Sequence, residues 1–153
     1  MKLLPLIQRA IRGEKVEGFA MTFPPPVSTL IGFEAVEVED RRAVFRLDAR
    51  RDRHANPMGT LHGGILCDIA DGAMGMACAS LLEVGESFTT LELKINYLRP
   101  VTDARLEARA RVVHAGKSMV YLECEVVSLP DEKLVAKTSS TCLILRGEQA
   151  KGR

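Results

Sequence analysis

Residues 56–71 read Asn56-Pro57-Met58-Gly59-Thr60-Leu61-His62-Gly63-Gly64-Ile65-Leu66-Cys67-Asp68-Ile69-Ala70-Asp71, a polar loop that passes through a Gly-Gly step into an apolar run carrying two carboxylates. The apolar spacing predicts a helix over 63–82, about 30 Å long. A helix entry presents backbone N–H groups that have no preceding turn to bond to, together with positive dipole potential. Both suit an oxygen that gains negative charge during a reaction. The carboxylates further along could supply a base or a nucleophile.

Outward from this helix, the rest of the chain reads mainly as strands. Two β-like runs between Gly32 and Ala49 meet at Glu39-Asp40-Arg41 and form a hairpin signal. The segment from Arg50 to Leu61 is charged and turn-rich. After Gly85 the period becomes two: Leu91, Leu93, Ile95 and Tyr97 share one face, then Ala104, Leu106, Ala108, Ala110 and Val112. Strands at 117–128 and 133–145 follow, with turns at His114-Ala115-Gly116-Lys117 and Leu129-Pro130-Asp131-Glu132. One long helix with a hairpin before it and four strands after it predicts an α+β domain, an antiparallel sheet packed on the helix. Residues 1–26, with a short amphipathic helix over 3–12 and the stiff Phe23-Pro24-Pro25-Pro26, form an N-terminal arm; 27–146 is a single domain; 147–153 is a polar, frayed tail.

At 153 residues one domain is expected. Lys plus Arg total 21 against 20 Asp plus Glu, a formal charge of +1, which gives no global reason for a nucleic-acid or membrane partner. The first residues lose their apolar character too early for a signal peptide, and Asp68 and Asp71 interrupt the helix as a membrane span. A cytoplasmic protein is expected, and Cys67, Cys78, Cys124 and Cys142, widely spaced in apolar segments, read as reduced, packed thiols.

At 100° per residue, Ile65, Leu66, Ile69, Ala70, Ala73, Met74, Met76 and Ala77 fall in one arc that should face the sheet. The opposite arc holds Gly64, Asp68, Asp71, Gly72, Gly75 and Ala79, a stripe narrow enough to admit another backbone or a flat ligand. Each interior glycine costs roughly 1 kcal/mol relative to alanine, so something should offset it. Asp71 lies too deep in the helix for the dipole to explain it, and a carboxylate on a largely buried helix tends to be functional or paired. Gly63 and Asp71 are eight residues apart, about 12 Å along the axis, so one chain cannot easily aim both at one carbonyl carbon. Two chains can, if their helices run antiparallel across a two-fold axis, and the small-residue stripe would suit that approach.

His62 reads as a base, a metal ligand or a helix-entry cap, with the cap favoured by its place before Gly63. His54, His62, Asp68 and Asp71 match no metal-ligand spacing, and neither a metal nor a cofactor is expected. No Gly-x-Ser-x-Gly elbow and no Walker loop occurs. Arg99, Arg105, Arg109, Arg111 and Lys94 read mainly as a solvated strand face offset by Glu92, Glu107, Glu123 and Glu125. Lys117-Ser118, after Gly116 in a turn, is the more attractive phosphate site, with a cation and a hydroxyl presented together.

His54-x-Asn56-Pro57-x-Gly59-x-x-His62-Gly63-Gly64 followed by Ala70-Asp71, and then Glu92-Leu93-Lys94-Ile95-Asn96-Tyr97-Leu98-Arg99-Pro100, resembles hotdog-fold acyl-CoA thioesterases of the phenylacetate-pathway (PaaI-like) type. The likeness spans about residues 28–145 and leaves the arm outside. It implies a long central helix wrapped by an antiparallel sheet, dimers joined edge to edge as the minimal active unit, and usually a homotetramer. It also implies roles: Asp71 as the catalytic carboxylate, Gly63 as the N–H that polarises the thioester carbonyl, Asn56 as the loop residue that places water or substrate, and His62 beside the oxyanion site. A hydroxyl from the following strand is expected near the carboxylate, from Thr89 or Thr90, with Thr90 preferred from its distance to Tyr97. The substrate would be an acyl-CoA, its phosphates met by Lys117, Ser118 and Arg99. Its acyl group would lie among residues such as Met58, Leu61, Met74 and Leu81.

Two rivals stand beside hydrolysis. A hotdog acyl-thioester dehydratase or hydratase would also pair a helix carboxylate with a histidine, although its usual motifs are not seen. A non-catalytic acyl-CoA-binding module would show saturable binding without release of CoA.

Overall fold

The computed structural model describes every residue except Ala20 and Arg153, so the parts of the expected arm and tail that fall on those two lie outside the described residues. The elements in chain order are α1 (Leu4–Ile11), α2 (Pro26–Ile31), β1 (Phe33–Glu39), β2 (Arg42–Ala49), α3 (Arg51–His54), α4 (Gly63–Ala79) and β3 (Ser87–Tyr97). They continue with β4 (Ala104–Ala115), β5 (Met119–Leu129), β6 (Lys133–Leu145) and one 3-10 turn at Gly147–Ala150. The six strands form one antiparallel sheet in the order β1-β2-β4-β5-β6-β3, so β1 and β3 are its edges. α4 packs across the sheet and touches every strand, which is the expected hotdog arrangement.

The helix is held chiefly by burial. Leu66, Ile69, Ala70, Ala73, Met74 and Ala77 are buried against Phe45, Leu106, Ala108, Val120, Leu122 and Val126 of the curled sheet. Each large aliphatic side chain so buried contributes roughly 1.5–3 kcal/mol. Ile65 and Met76, expected in the same arc, are only partly buried, while Gly75, Cys78 and Ala79 outside it are buried. The sheet wraps so far round the C-terminal half of the helix that a single buried stripe does not describe it. α4 ends at Ala79, short of the expected 82, where the Ser80 hydroxyl donates to Ala77 O (2.7 Å) and accepts from Arg41 N–H (2.8 Å). That seam ties the helix end to the β1–β2 turn.

The N-terminal residues belong to the same core. Ile7 is fully buried, Gln8 Nε2 donates to Val38 O at 2.9 Å, and Leu3 N–H donates to Leu82 O at 2.9 Å. Pro26 starts α2 because its fixed φ and missing N–H are tolerated at a first helical position. Gly32 ends it in the left-handed conformation, φ 98°, with its N–H on Ser28 O (2.7 Å).

β3 departs from strict alternation. Its pairing with β6 runs Thr90↔Cys142 and then Glu92↔Thr141, so Leu91 is an extra residue in a bulge. The bulge changes the phase of the strand. Phe88 and Thr90 before it, and Leu93, Ile95 and Tyr97 after it, all turn to the helix side, whereas Leu91, expected among them, is 52% exposed.

Candidate active site

At the helix entry, His62 is the N-cap. Its Nδ1 accepts the Gly64 N–H at 3.0 Å, so the expected capping role is what the geometry shows, and the ring is exposed rather than packed. Gly63 occupies the first helical position, where no turn precedes it to accept its N–H. The Tyr97 ring lies over it: a Cβ on Gly63 would sit 2.8 Å from the phenol. Tyr97 OH also meets Cys67 Sγ at 3.5 Å, and that hydrogen bond, with some burial, pushes the phenol up to about 12.

The loop before the helix is tied by Asn56. Its Oδ1 accepts from Met58 N–H (2.9 Å) and Thr60 N–H (3.2 Å), and its Nδ2 donates to Thr60 Oγ1 (2.8 Å). This is an Asx-type turn that holds the loop in shape. His54, considered above as a metal ligand and as the first residue of the motif that carries the resemblance, has a structural task. Buried at 6% exposure, it accepts Arg50 N–H on Nδ1 (3.0 Å), pairs Nε2 with Ile31 O (2.8 Å), and its own carbonyl accepts His62 N–H (2.9 Å). With Nδ1 accepting, Nε2 carries the proton, and both nitrogens are engaged. The side chain therefore fastens α2 to α3, and its carbonyl fastens α3 to the entry of α4.

Further along α4, Asp71 Oδ1 accepts a hydrogen bond from Thr90 Oγ1 at 3.1 Å. The bulge at Leu91 is what lets Thr90 face the helix while the distal half of β3 does so too. Asp71 is exposed in the single chain, contrary to the expectation of a buried carboxylate, because this side of the helix is an open cleft. Burial, and then the charge of Asp71, push the Asp68 carboxyl above its ordinary range against a smaller pull from His62.

The small-residue stripe is filled from within the chain, not by a second backbone. A Cβ on Gly72 would lie 2.9 Å from the Phe45 ring, and one on Gly75 would lie 3.1 Å from Phe88. These glycines offset their helix cost by admitting two aromatic rings. The thiols are packed as expected: Cys78, Cys124 and Cys142 are buried and free, and Cys67 is half-buried. Hydrogen bonding to Cys142, and then burial, push Cys78 up, while burial takes Cys124 to about 12.

Two clefts divide the expected site residues between them. Asn56, Gly63 and Arg99 line one of about 430 Å³. Asp68, Asp71 and Gly72 line another of about 510 Å³, whose remaining wall comes largely from residues 21–27. Lys117 and Ser118 share neither: they lie by the Leu143 end of β6, whereas Arg99 bonds at Val135, roughly 25 Å along the strand. Of the acyl-pocket residues expected above, Met74 is fully buried in the core and Met58 is 81% exposed, which removes both as pocket walls within one chain. Met76, expected in the core, lines the Asp71 cleft instead.

The family model described as the thioesterase superfamily matches residues 58–135, the span that carries α4, Thr90 and the strands β3 to β5. This chain belongs to the thioesterase superfamily. It is a thioester hydrolase with the hotdog fold, of the PaaI-like type. A 1,4-dihydroxy-2-naphthoyl-CoA hydrolase of Listeria monocytogenes is 32% identical over 114 residues, covering 74% of this chain and 91% of the relative. Among solved structures, a conserved protein of Pseudomonas aeruginosa is 38% identical with a TM-score of 0.73, covering 79% of this chain and 94% of that one. A mutant of the phenylacetic acid degradation protein PaaI of Thermus thermophilus is 31% identical with a TM-score of 0.71, covering 78% and 98%. The thioesterase match begins beyond the N-terminal 57 residues, so the wall that residues 21–27 give the Asp71 cleft lies outside it. Among the described residues no helix is long and apolar enough to cross a membrane.

Proposed function

We propose that the protein hydrolyses an acyl-CoA to the free acid and CoA at a site shared by two copies of the chain. The observation that carries this reading is the division of the helix: Gly63 lines one cleft and Asp71 another. Two-fold pairing through the free edge of β3 sets the two α4 helices antiparallel and brings Gly63 of one copy toward Asp71 of the other. The same pairing carries the Lys117-Ser118 end of one copy toward Arg99 of the other, which supports these residues as joint contacts for the CoA phosphates. Pairs of such dimers would make the tetramer.

In this site the thioester carbonyl oxygen takes the Gly63 N–H as its charge develops, with His62 holding the helix entry and Asn56 the loop. Asp71, oriented by Thr90, removes a proton from water as the new C–O bond forms, or attacks the carbonyl itself before water releases the acid. In both routes the C–S bond breaks and CoA leaves as the thiol.

Subunit mixing tests this directly. Asp71→Ala removes the carboxylate. Gly63→Pro removes the N–H at a position where proline fits a helix start, since His62 already has the extended backbone that precedes proline; the exposed Tyr97 ring must swing aside. Each variant alone should lose at least 100-fold in CoA release. Mixed and reassembled in equal amounts, they should recover about a quarter of wild-type turnover, because half the dimers hold one intact site of two. No recovery would place the whole site within one chain. Asp68→Ala should stay within a few-fold of wild type.

A further inference from the structure

We infer that residues 21–27, the end of the N-terminal arm and the start of α2, form the wall of the acyl pocket and restrict it to uncharged, apolar acyl groups; this rests on the reading of Asp71 given above. The cleft beside Asp71 has Met21, Phe23 and Val27 on the arm side and faces Phe45 and Met76 across it. At about 510 Å³ it is in the range that holds a small ligand. Its only ionisable lining groups among the described residues are Asp68 and Asp71. Two carboxylates with no lining cation repel an acyl chain that ends in a carboxylate, such as succinyl, while the apolar walls favour a hexanoyl or phenylacetyl group.

The wall is built rather than draped. Phe23 stacks on Phe19 with ring centroids 5.9 Å apart. Ser28 is buried at 3% exposure, and its hydroxyl donates to Pro25 O at 2.8 Å. The end of α2 is gripped from α3, where Arg53 donates to Leu30 O and His54 to Ile31 O. The course of residues 23–31 is therefore pinned to the same segment that leads into the catalytic loop. A thioester whose carbonyl reaches Asp71 has its acyl tail directed along this wall.

The test is a CoA-release assay on the full-length protein with acetyl-, hexanoyl-, phenylacetyl- and succinyl-CoA. Wild type should prefer hexanoyl- and phenylacetyl-CoA to succinyl-CoA by at least 10-fold in kcat/KM. Phe23→Ala should lower the hexanoyl-to-acetyl ratio of kcat/KM about 10-fold. Val27→Lys, at a position 49% exposed and so tolerant of a charge, should raise the succinyl-to-hexanoyl ratio about 10-fold. Leu30→Ala, 75% exposed on α2, is the control and should leave both ratios within 2-fold. Ratios unmoved by Phe23→Ala and Val27→Lys in an Asp71-dependent enzyme overturn the role of the arm and leave the catalytic reading standing. Turnover that survives Asp71→Ala overturns both.

Discussion

His54→Ala removes a buried imidazole that bridges two backbone groups. Arg50 N–H loses its acceptor at 3.0 Å and Ile31 C=O loses its partner at 2.8 Å, in a site where the side chain is 6% exposed. An unsatisfied buried backbone group costs about 1–3 kcal/mol, so the two cost roughly 2–6 kcal/mol together. Water entering the space left by the ring recovers part of this and places the expected loss at about 3–4 kcal/mol. For a domain of this size each kcal/mol lowers Tm by about 2–4 °C, so the midpoint should fall by roughly 6–16 °C. Urea unfolding and a thermal melt of His54→Ala, with the exposed His114→Ala as control, read this directly; the control should stay within about 0.5 kcal/mol. Hydrogen exchange should also quicken at the Arg50 amide, which has lost its acceptor, and at the His62 amide, whose acceptor, the carbonyl of residue 54, is no longer clamped. A stability loss below about 1 kcal/mol would refute the assignment of His54 as a fastening residue.

Thr90→Val keeps the shape of the side chain and removes the hydroxyl that Asp71 accepts; kcat should fall about 10- to 100-fold with little change in Tm, while Thr89→Val stays near wild type. The reverse ranking would mean that the bulge does not aim Thr90 at Asp71. Gly72→Ala gains about 1 kcal/mol of helix propensity but drives a methyl to 2.9 Å from the Phe45 ring, packed in the core, so a net loss of about 1 kcal/mol is expected by urea unfolding. Stabilisation by the full propensity gain would show that the ring does not demand glycine.

Glu107, 9% exposed, is held below the ordinary carboxylate range first by its hydrogen bond from Arg46 and then by Arg109, so its contribution is present at neutral pH. As pH falls below the ordinary glutamate value of about 4.3 and through the lowered folded value, that contribution is lost. Glu107→Gln should therefore cost about 2 kcal/mol at pH 7, and the gap to wild type should close in strongly acidic solution, followed by urea titrations across pH. A constant gap would show that ionisation of Glu107 does not stabilise the fold.

The helix and strands were legible because their signals are local. The Gly-Gly step marked the start of α4, and period-two runs marked β2 and β4 to β6. The bulge at Leu91 was not legible, since an inserted residue in a strand leaves a run of strand-forming residues unchanged; it is defined by the partner strand. The glycines at 72 and 75 were visible as vacancies, but their occupants, Phe45 and Phe88, come from strands remote in sequence. The task of His54 was hidden for a related reason: its three partners are backbone groups, which carry no residue identity. Residues 21–27 carried no signal beyond apolar residues around a proline run, and only folding brings Met21, Phe23 and Val27 to the cleft of Asp71.

The two edges of the sheet are unlike. β3 offers 11 residues, about 36 Å of free backbone, with Leu91, Tyr97 and Leu98 exposed on or beside it. β1 is shorter, breaks its register at Val36, and exposes Glu34, Glu37 and Glu39. Charge and a bulge are the devices by which proteins discourage strand addition. A copy that joins at β3 therefore uses the one inviting edge of each chain and leaves an acidic, kinked strand at either end. Growth along the sheet would then stop at two chains: the same asymmetry that permits an edge-to-edge pair guards against a fibre.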